Sequence, residues 1–269
     1  MLKKTLIGLL LCLPPTASFG FSPTDLWQIW PAERFTTTAS PCLRHAELMA
    51  ALEELAERYP GEVALEEVGQ SFLDRPIKMV TIGRGERKVL LWSQMHGNEP
   101  SATPALLDIA HYLLGHADEP EPAAILENLT LLMIPMLHPD GTELYVRRTA
   151  QAIDINRDAL NLTTPEGRAL KAVRDSHEPI LGFNLHDQNR RKSVGDTGIL
   201  ATNAVLAVAG DAEGTVTPGR LRAKRACSAI VEALAPFMPG GMARYEEDWS
   251  PRAFGDNITA WGTPVSYTH

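Results

Sequence analysis

The sequence predicts an α/β fold, a mixed and largely parallel central sheet with helices on both faces. Three observations point there. Short apolar runs that read as strands alternate with longer segments of helical periodicity, the order that builds a sheet with crossover helices. One run, Leu129–Leu137 (LTLLMIPML), is apolar without a break, as expected of a strand buried on both faces. No internal repeat, low-complexity tract or long linker divides the 269 residues, so one domain is the simplest organisation.

The elements follow in order. Lys3 and Lys4 precede an apolar run, Leu6–Leu13, and then Pro14, Pro15, Ala17, Ser18 and Gly20. That is the order of a secretory signal peptide over residues 1–20, too short to span a bilayer. Export to a periplasm or the exterior is expected, with no stable membrane association after cleavage. Residues 21–44 read as an N-terminal arm; Phe21–Pro41, rich in Pro, Thr and Trp, has no periodicity and is expected to lie irregularly over the surface. Residues 45–269 form the remaining domain. His45–Tyr59 places Leu48, Leu52 and Leu55 on one helical face. Val63–Val68 and Ile77–Ile82 read as strands joined around Asp74-Arg75-Pro76. Lys88–Gln94 (KVLLWSQ) is a strand, and Thr103–Leu114 a helix with Leu106, Ile109, Ala110 and Leu113 on one side. Thr164 with Pro165 caps and opens another helix. Ile180–Leu185 is a strand, and Leu221–Phe237 a further helix.

Charge and cysteine content narrow the classes of function. A net charge of −8 argues against nucleic acid or an anionic membrane as partner. Cys12 falls inside the signal, which leaves Cys42 and Cys227. Export permits a disulfide between them, but two cysteines cannot build a Cys-rich metal site, so any metal is bound by His and carboxylates.

Functional groups of an open α/β sheet gather beyond the carboxyl ends of its strands. The strand Lys88–Gln94 runs into Met95-His96-Gly97-Asn98-Glu99-Pro100, and Ile180–Leu185 into His186-Asp187-Gln188. Two imidazoles and one carboxylate are a common catalytic zinc set that leaves a coordination position open, and His96, Glu99 and His186 could face one cleft; His-x-x-Glu by itself reads equally as a surface-loop histidine near an unrelated acid. Gly97 eases crowding where the loop turns. Of the other histidines, His111, His116 and His177 fall within or at the ends of helices, His269 is the last residue, and His138, before Pro139-Asp140-Gly141, reads as a turn residue.

From about Leu90 to Val265 the chain resembles the carboxypeptidase A-like zinc carboxypeptidase family. The resemblance rests on His96-Gly97-Asn98-Glu99-Pro100 and on His138-Pro139-Asp140-Gly141, similar to an Asn-Pro-Asp-Gly turn. It also rests on Arg147-Arg148-Thr149, Asp154-Ile155-Asn156-Arg157-Asp158 and Asn184-Leu185-His186. It implies a three-layer sandwich with one Zn²⁺ per chain on His96, Glu99 and His186, and peptide substrates with a free C-terminal carboxylate. Arg157, with Asn156, then anchors that carboxylate, as the planar guanidinium fork does well. Arg147 stabilises the oxyanion, with Arg148 one residue away as the alternative. Asp154 accepts the second ring N–H of a zinc histidine. Tyr245 is the candidate for a mobile tyrosine over the substrate, with Arg252 competing for that contact.

The family's general base is a glutamate on a strand after the tyrosine segment. Here Ala260–Val265 reads as the approach to that strand, and no acid follows Asp256. Ser266-Tyr267-Thr268-His269 reads as foreign to the fold, so the strand and a final helix are expected to be missing and the domain incomplete. The expected function is hydrolysis of a C-terminal amide by a monomer, on proteins or cell-wall peptides. A zinc deacylase of N-acyl amino acids and a non-catalytic zinc-holding module are the alternatives.

Overall fold

Strands with apolar side chains at every position can be buried only between two layers, and this dictates the architecture. In the computed structural model, which describes residues 23–36, 42–188 and 191–268, β3 (Arg87–Ser93) sends Val89 and Leu91 to one face and Leu90 and Trp92 to the other, all fully buried. On the first face lie α1 (Pro23–Glu33), α2 (His45–Arg58), α3 (Ala102–Gly115), α4 (Pro120–Asn128) and α7 (Pro218–Leu234). On the second lie α6 (Pro165–His177) and α8 (Phe254–Ala260). The other elements are β1 (Ala64–Gln70), β2 (Pro76–Ile82), β4 (Leu129–Ile134), α5 (Pro139–Leu144), β5 (Leu181–Leu185), β6 (Asn203–Ala207), β7 (Met242–Arg244) and β8 (Val265–Thr268).

The sheet order is β1-β2-β4-β3-β5-β8-β6-β7. Its centre, β4-β3-β5-β8, is parallel, whereas β1–β2, β2–β4 and β6–β8 are antiparallel, so the mixed sheet is as expected. Parallel neighbours share a direction, and the carboxyl ends of β3 and β5 therefore open onto one edge.

Several local expectations need correction. Part of the arm is helical, α1, pinned to the body by the buried carboxylate of Asp108, which accepts from Trp30 Nε1, from the Phe35 and Thr36 backbone N–H groups and from Thr36 Oγ1 at 3.0–3.1 Å. β4 stops at Ile134, before Pro135. α7 begins at Pro218 because Thr217 caps it, its Oγ1 accepting from the Arg220 N–H at 3.1 Å. The predicted Thr164 cap is present, accepting from the Gly167 N–H at 3.1 Å.

The largest correction concerns Val265–Thr268. These residues are not foreign to the fold. They form β8, paired with β5 in parallel and with β6 in antiparallel fashion. Alternation explains it: Val265 and Tyr267 pack on one face, while Ser266 on the other meets Cys227 Sγ at 3.2 Å. Cys227 and Cys42 are not joined by a disulfide. The predicted signal, Cys12 and His269 lie outside the described residues. Among the described residues no helix is long and apolar enough to cross a membrane.

Candidate metal centre and cleft

The chain leaves β3 abruptly. Gln94 adopts a left-handed backbone (φ 50°), held by a buried side chain whose Oε1 accepts from Thr103 Oγ1 at 2.7 Å and whose Nε2 donates to the Gly97 carbonyl at 3.2 Å. Such strain persists where the surroundings fix it. Gly97 is required by close approach rather than by turn geometry, because a Cβ there would lie 2.0 Å from the backbone carbon of Gly141. Gly141 in turn faces the His138 ring, which a Cβ would meet at 2.3 Å. His138 is therefore no surface turn residue. It caps α5 with its ring wholly buried, and burial pushes its imidazole down to about 4, so it packs as a neutral ring.

Beyond this turn the three predicted ligands converge. Ligand atoms of His96, Glu99 and His186 all lie within 4.8 Å of one another. His96 Nδ1 is 2.9 Å from Glu99 Oε1, and His186 Nδ1 is 2.6 Å from Glu99 Oε2. The other nitrogen of His96 is held by Asp154 Oδ1 at 3.1 Å. Asp154 Oδ1 also accepts from the Asn156 N–H at 3.0 Å, which fixes the carboxylate. Burial would raise the carboxyl of Glu99, but the charges and hydrogen bonds of His186 and His96 hold it well below the usual carboxylate range. Asp154 is held low in the same way, against burial, by His96 and Arg147. Burial opposes charge on His96 too, yet its bonds to Asp154 and Glu99 prevail and raise it.

This donor set fits zinc: two imidazoles and a carboxylate, with the ring of His96 oriented from behind. It already draws a cation, since Arg147 Nη1 sits 3.1 Å from His96 Nδ1 and 3.2 Å from Glu99 Oε1. Arg147 also donates from Nε to Asp154 Oδ2 at 3.0 Å. Arg148 instead donates to the Ala152 carbonyl and does not line the cleft.

The centre forms the floor of a cleft of about 340 Å³, which Arg147, Asn156, Arg157 and Tyr245 also line. Asn156 is buried, and its Oδ1 accepts from the Phe254 N–H at 3.1 Å, which leaves the Nδ2 end able to donate. Arg252 is not among the lining residues; its carbonyl accepts from the Ala159 N–H at 3.1 Å. Lys192 Nζ sits 4.7 Å from the Tyr245 ring centroid.

The cleft contains residues to which sequence reasoning gave no role. Asp187 takes the hydroxyl and the backbone N–H of Ser101, tying the Glu99 loop to the end of β5. It stands beside His186 in a polar run, a signal that was available. The rings of Tyr267 and His186 stand nearly perpendicular with centroids 5.7 Å apart, and Tyr267 belongs to the segment read as foreign. Glu247, bonded to Arg157, comes from an acidic run, Glu246-Glu247-Asp248, that looks like ordinary surface.

Comparison with known proteins agrees with this geometry. Residues 48–163 match the sequence profile of the family described as zinc carboxypeptidase. Carboxypeptidase 2 of Trichophyton rubrum is 31% identical over 113 residues, 40% of this chain and 20% of that protein. Carboxypeptidase E of Caenorhabditis elegans is 31% identical over 134 residues, 42% of this chain and 28% of that one. The matched stretch thus spans about a fifth to a quarter of these relatives' length. Among solved structures, carboxypeptidase A from Helicoverpa armigera superposes with a TM-score of 0.66 at 17% identity, covering 89% of this chain and 69% of that one. A metallo-carboxypeptidase from Burkholderia cenocepacia gives 0.64 at 18% identity, covering 83% and 58%.

Proposed function

We propose, from the premise that this chain belongs to the zinc carboxypeptidase family, that its cleft binds the free carboxyl end of a peptide and serves hydrolysis of the last amide bond. The observation that carries the reading is the convergence of His96, Glu99 and His186 in one cleft with Arg157. One zinc ion held by those three residues supplies Lewis acidity, polarising a carbonyl and acidifying water.

The chain's own residues do the rest. Arg157 takes the terminal carboxylate, with Asn156 Nδ2 as a further donor. Arg147 offers its guanidinium to the oxygen on which negative charge develops. Asp154 keeps the His96 ring in one tautomer with Nδ1 toward the metal. Tyr245, which lines the same cleft, covers the substrate. The cleft's carboxylates are engaged, Glu99 by the histidines, Asp187 by Ser101 and Glu247 by Arg157. Lys3–Gly20 supports export to a periplasm or the exterior, where peptide ends, cell-wall peptides included, are the substrates.

Zinc-loaded protein is expected to bind an N-acetylated amino acid in its free-acid form and to bind the matching amide at least about tenfold more weakly, one charge-assisted contact being worth about 1.5–3 kcal/mol. Equal affinity for acid and amide would remove the carboxypeptidase reading.

A further inference from the structure

A cavity of about 440 Å³ lies between α7 and the edge of the sheet at β6 and β7, and no residue lines both it and the metal cleft. Helical spacing builds one wall. Ala223, Ile230 and Leu234 of α7 enter the core, while Arg220, Lys224 and Val231 fall on a neighbouring stripe that lines the cavity. Strand alternation builds the other. Val205 and Ala207 of β6 and Met242 and Arg244 of β7 share one face of the sheet, with Val205 and Arg244 side by side in the register.

The cavity is thus apolar along its walls and cationic at three points. Arg220, Lys224 and Arg244 line it, and no carboxylate does. None of the three forms an ion pair among the described residues. Arg220 is steered by bonds from Nη1 to the Gly214 and Thr215 carbonyls, yet its Nε is buried with no hydrogen-bond partner among the described residues. Asp211 feels the charge of Arg220 but lies outside the lining, where it accepts from the Thr215 N–H at 2.8 Å. Arg220 and Arg244 also border a second cavity with Glu246, Glu247 and Asp248, and pair with none of them.

A buried donor without an acceptor is costly, and cations left unneutralised in a chain of net charge −8 attract an anion. Apolar walls offer nothing to a bare ion, which keeps its hydration shell more cheaply in water. A ligand with an anionic head and a short apolar body satisfies both surfaces. The same net charge repels an anionic bilayer, so the ligand is a free small molecule. We propose that this cavity is a binding site for a small amphipathic anion, a carboxylate, sulfonate or phosphate on a short apolar chain. Its head meets the three cations and its chain lies along Val205, Ala207, Val231 and Met242. The proposal is independent of the carboxypeptidase reading.

The test is calorimetric binding of octane-1-sulfonate to the zinc-loaded chain, with methanesulfonate as the head alone and octyltrimethylammonium as the chain with opposite charge. Octane-1-sulfonate should bind at least about tenfold more tightly than either. Lys224→Gln and Arg244→Gln, both at exposed positions, should each weaken it by about fivefold, and the double variant by more. Lys224→Arg, which keeps the charge, should retain it. Arg225→Gln, on the same helix but outside the cavity, should leave it unchanged, which excludes a general effect of net charge. Binding should also survive Arg157→Lys, and phosphatidylglycerol vesicles should bind no better than phosphatidylcholine ones. No binding of octane-1-sulfonate, equal binding of the head alone or of the cation, or an affinity insensitive to the double variant would overturn the proposal. Loss of binding in Arg157→Lys would move the ligand to the metal cleft, and selective capture of phosphatidylglycerol vesicles would make the partner a membrane; either result ends the proposal as well.

Discussion

At His96 two opposing influences meet: burial removes the solvent that a charged ring needs, while Asp154 and Glu99 demand a donor on each nitrogen. A metal held on Nδ1 would resolve this conflict, with Asp154 as the partner of Nε2. Asp154→Asn should therefore weaken zinc binding by about 10–100-fold without abolishing it. Chelator competition measures this, and an unchanged affinity would remove Asp154 from the site. Arg157→Lys keeps a cation but loses the fork, so affinity for N-acetylated amino acids should drop by about tenfold or more while the zinc content stays the same. Much of this was legible. His96, Glu99 and His186 follow apolar strands, and strand ends are where an α/β sheet collects its functional groups. Glu247 was not legible, because its role depends on a loop folding back onto Arg157, and neither spacing nor periodicity encodes that contact.

Helix starts show what short-range chemistry can and cannot reveal. Thr164-Pro165 and Thr217-Pro218 use the same device, a threonine oxygen on the N–H three residues on and a proline at the first helical position. The first was read correctly and the second was placed three residues late, since the apolar pattern of α7 begins at Leu221 while its cap lies upstream. Thr164→Ala should cost about 1 kcal/mol, read as a lower melting temperature. The effect reaches beyond the helix, because Asp158 accepts from Thr164 N and Oγ1 at 2.7 Å and so ties the cap to the Arg157 turn. The ligand loop is less forgiving. Gly97→Ala drives a methyl group into the Gly141 backbone, so it should lower the melting temperature and zinc affinity together. A variant with wild-type zinc affinity would show that the two loops can part freely. β8 was misread because four residues are too few to display alternation against a background expectation.

Across the whole molecule, pH acts through groups whose folded and unfolded states differ. The Asp256 carboxyl titrates near 6 in the fold, above its ordinary 3.8. The folded protein holds that proton more tightly, so stability falls as pH rises from about 4 through 6, and the full penalty applies above. Asp256→Asn should raise the stability by on the order of 2 kcal/mol at pH 7.5 and by nothing near pH 3.5. A gain of equal size at both values would assign the effect to packing. The order of the sheet has a consequence in time as well. β8 comes after β6 and β7 in the chain, yet in the sheet it lies between β5 and β6 and gives the β6–β7 pair its hydrogen-bonded connection to the rest. A ribosome that has released everything through β7 has therefore made two sheet fragments with open edges, and only the arrival of residues 265–268 joins them. Closure of the sheet therefore waits on residues 265–268, and until they emerge the nascent chain carries open strand edges that can pair wrongly.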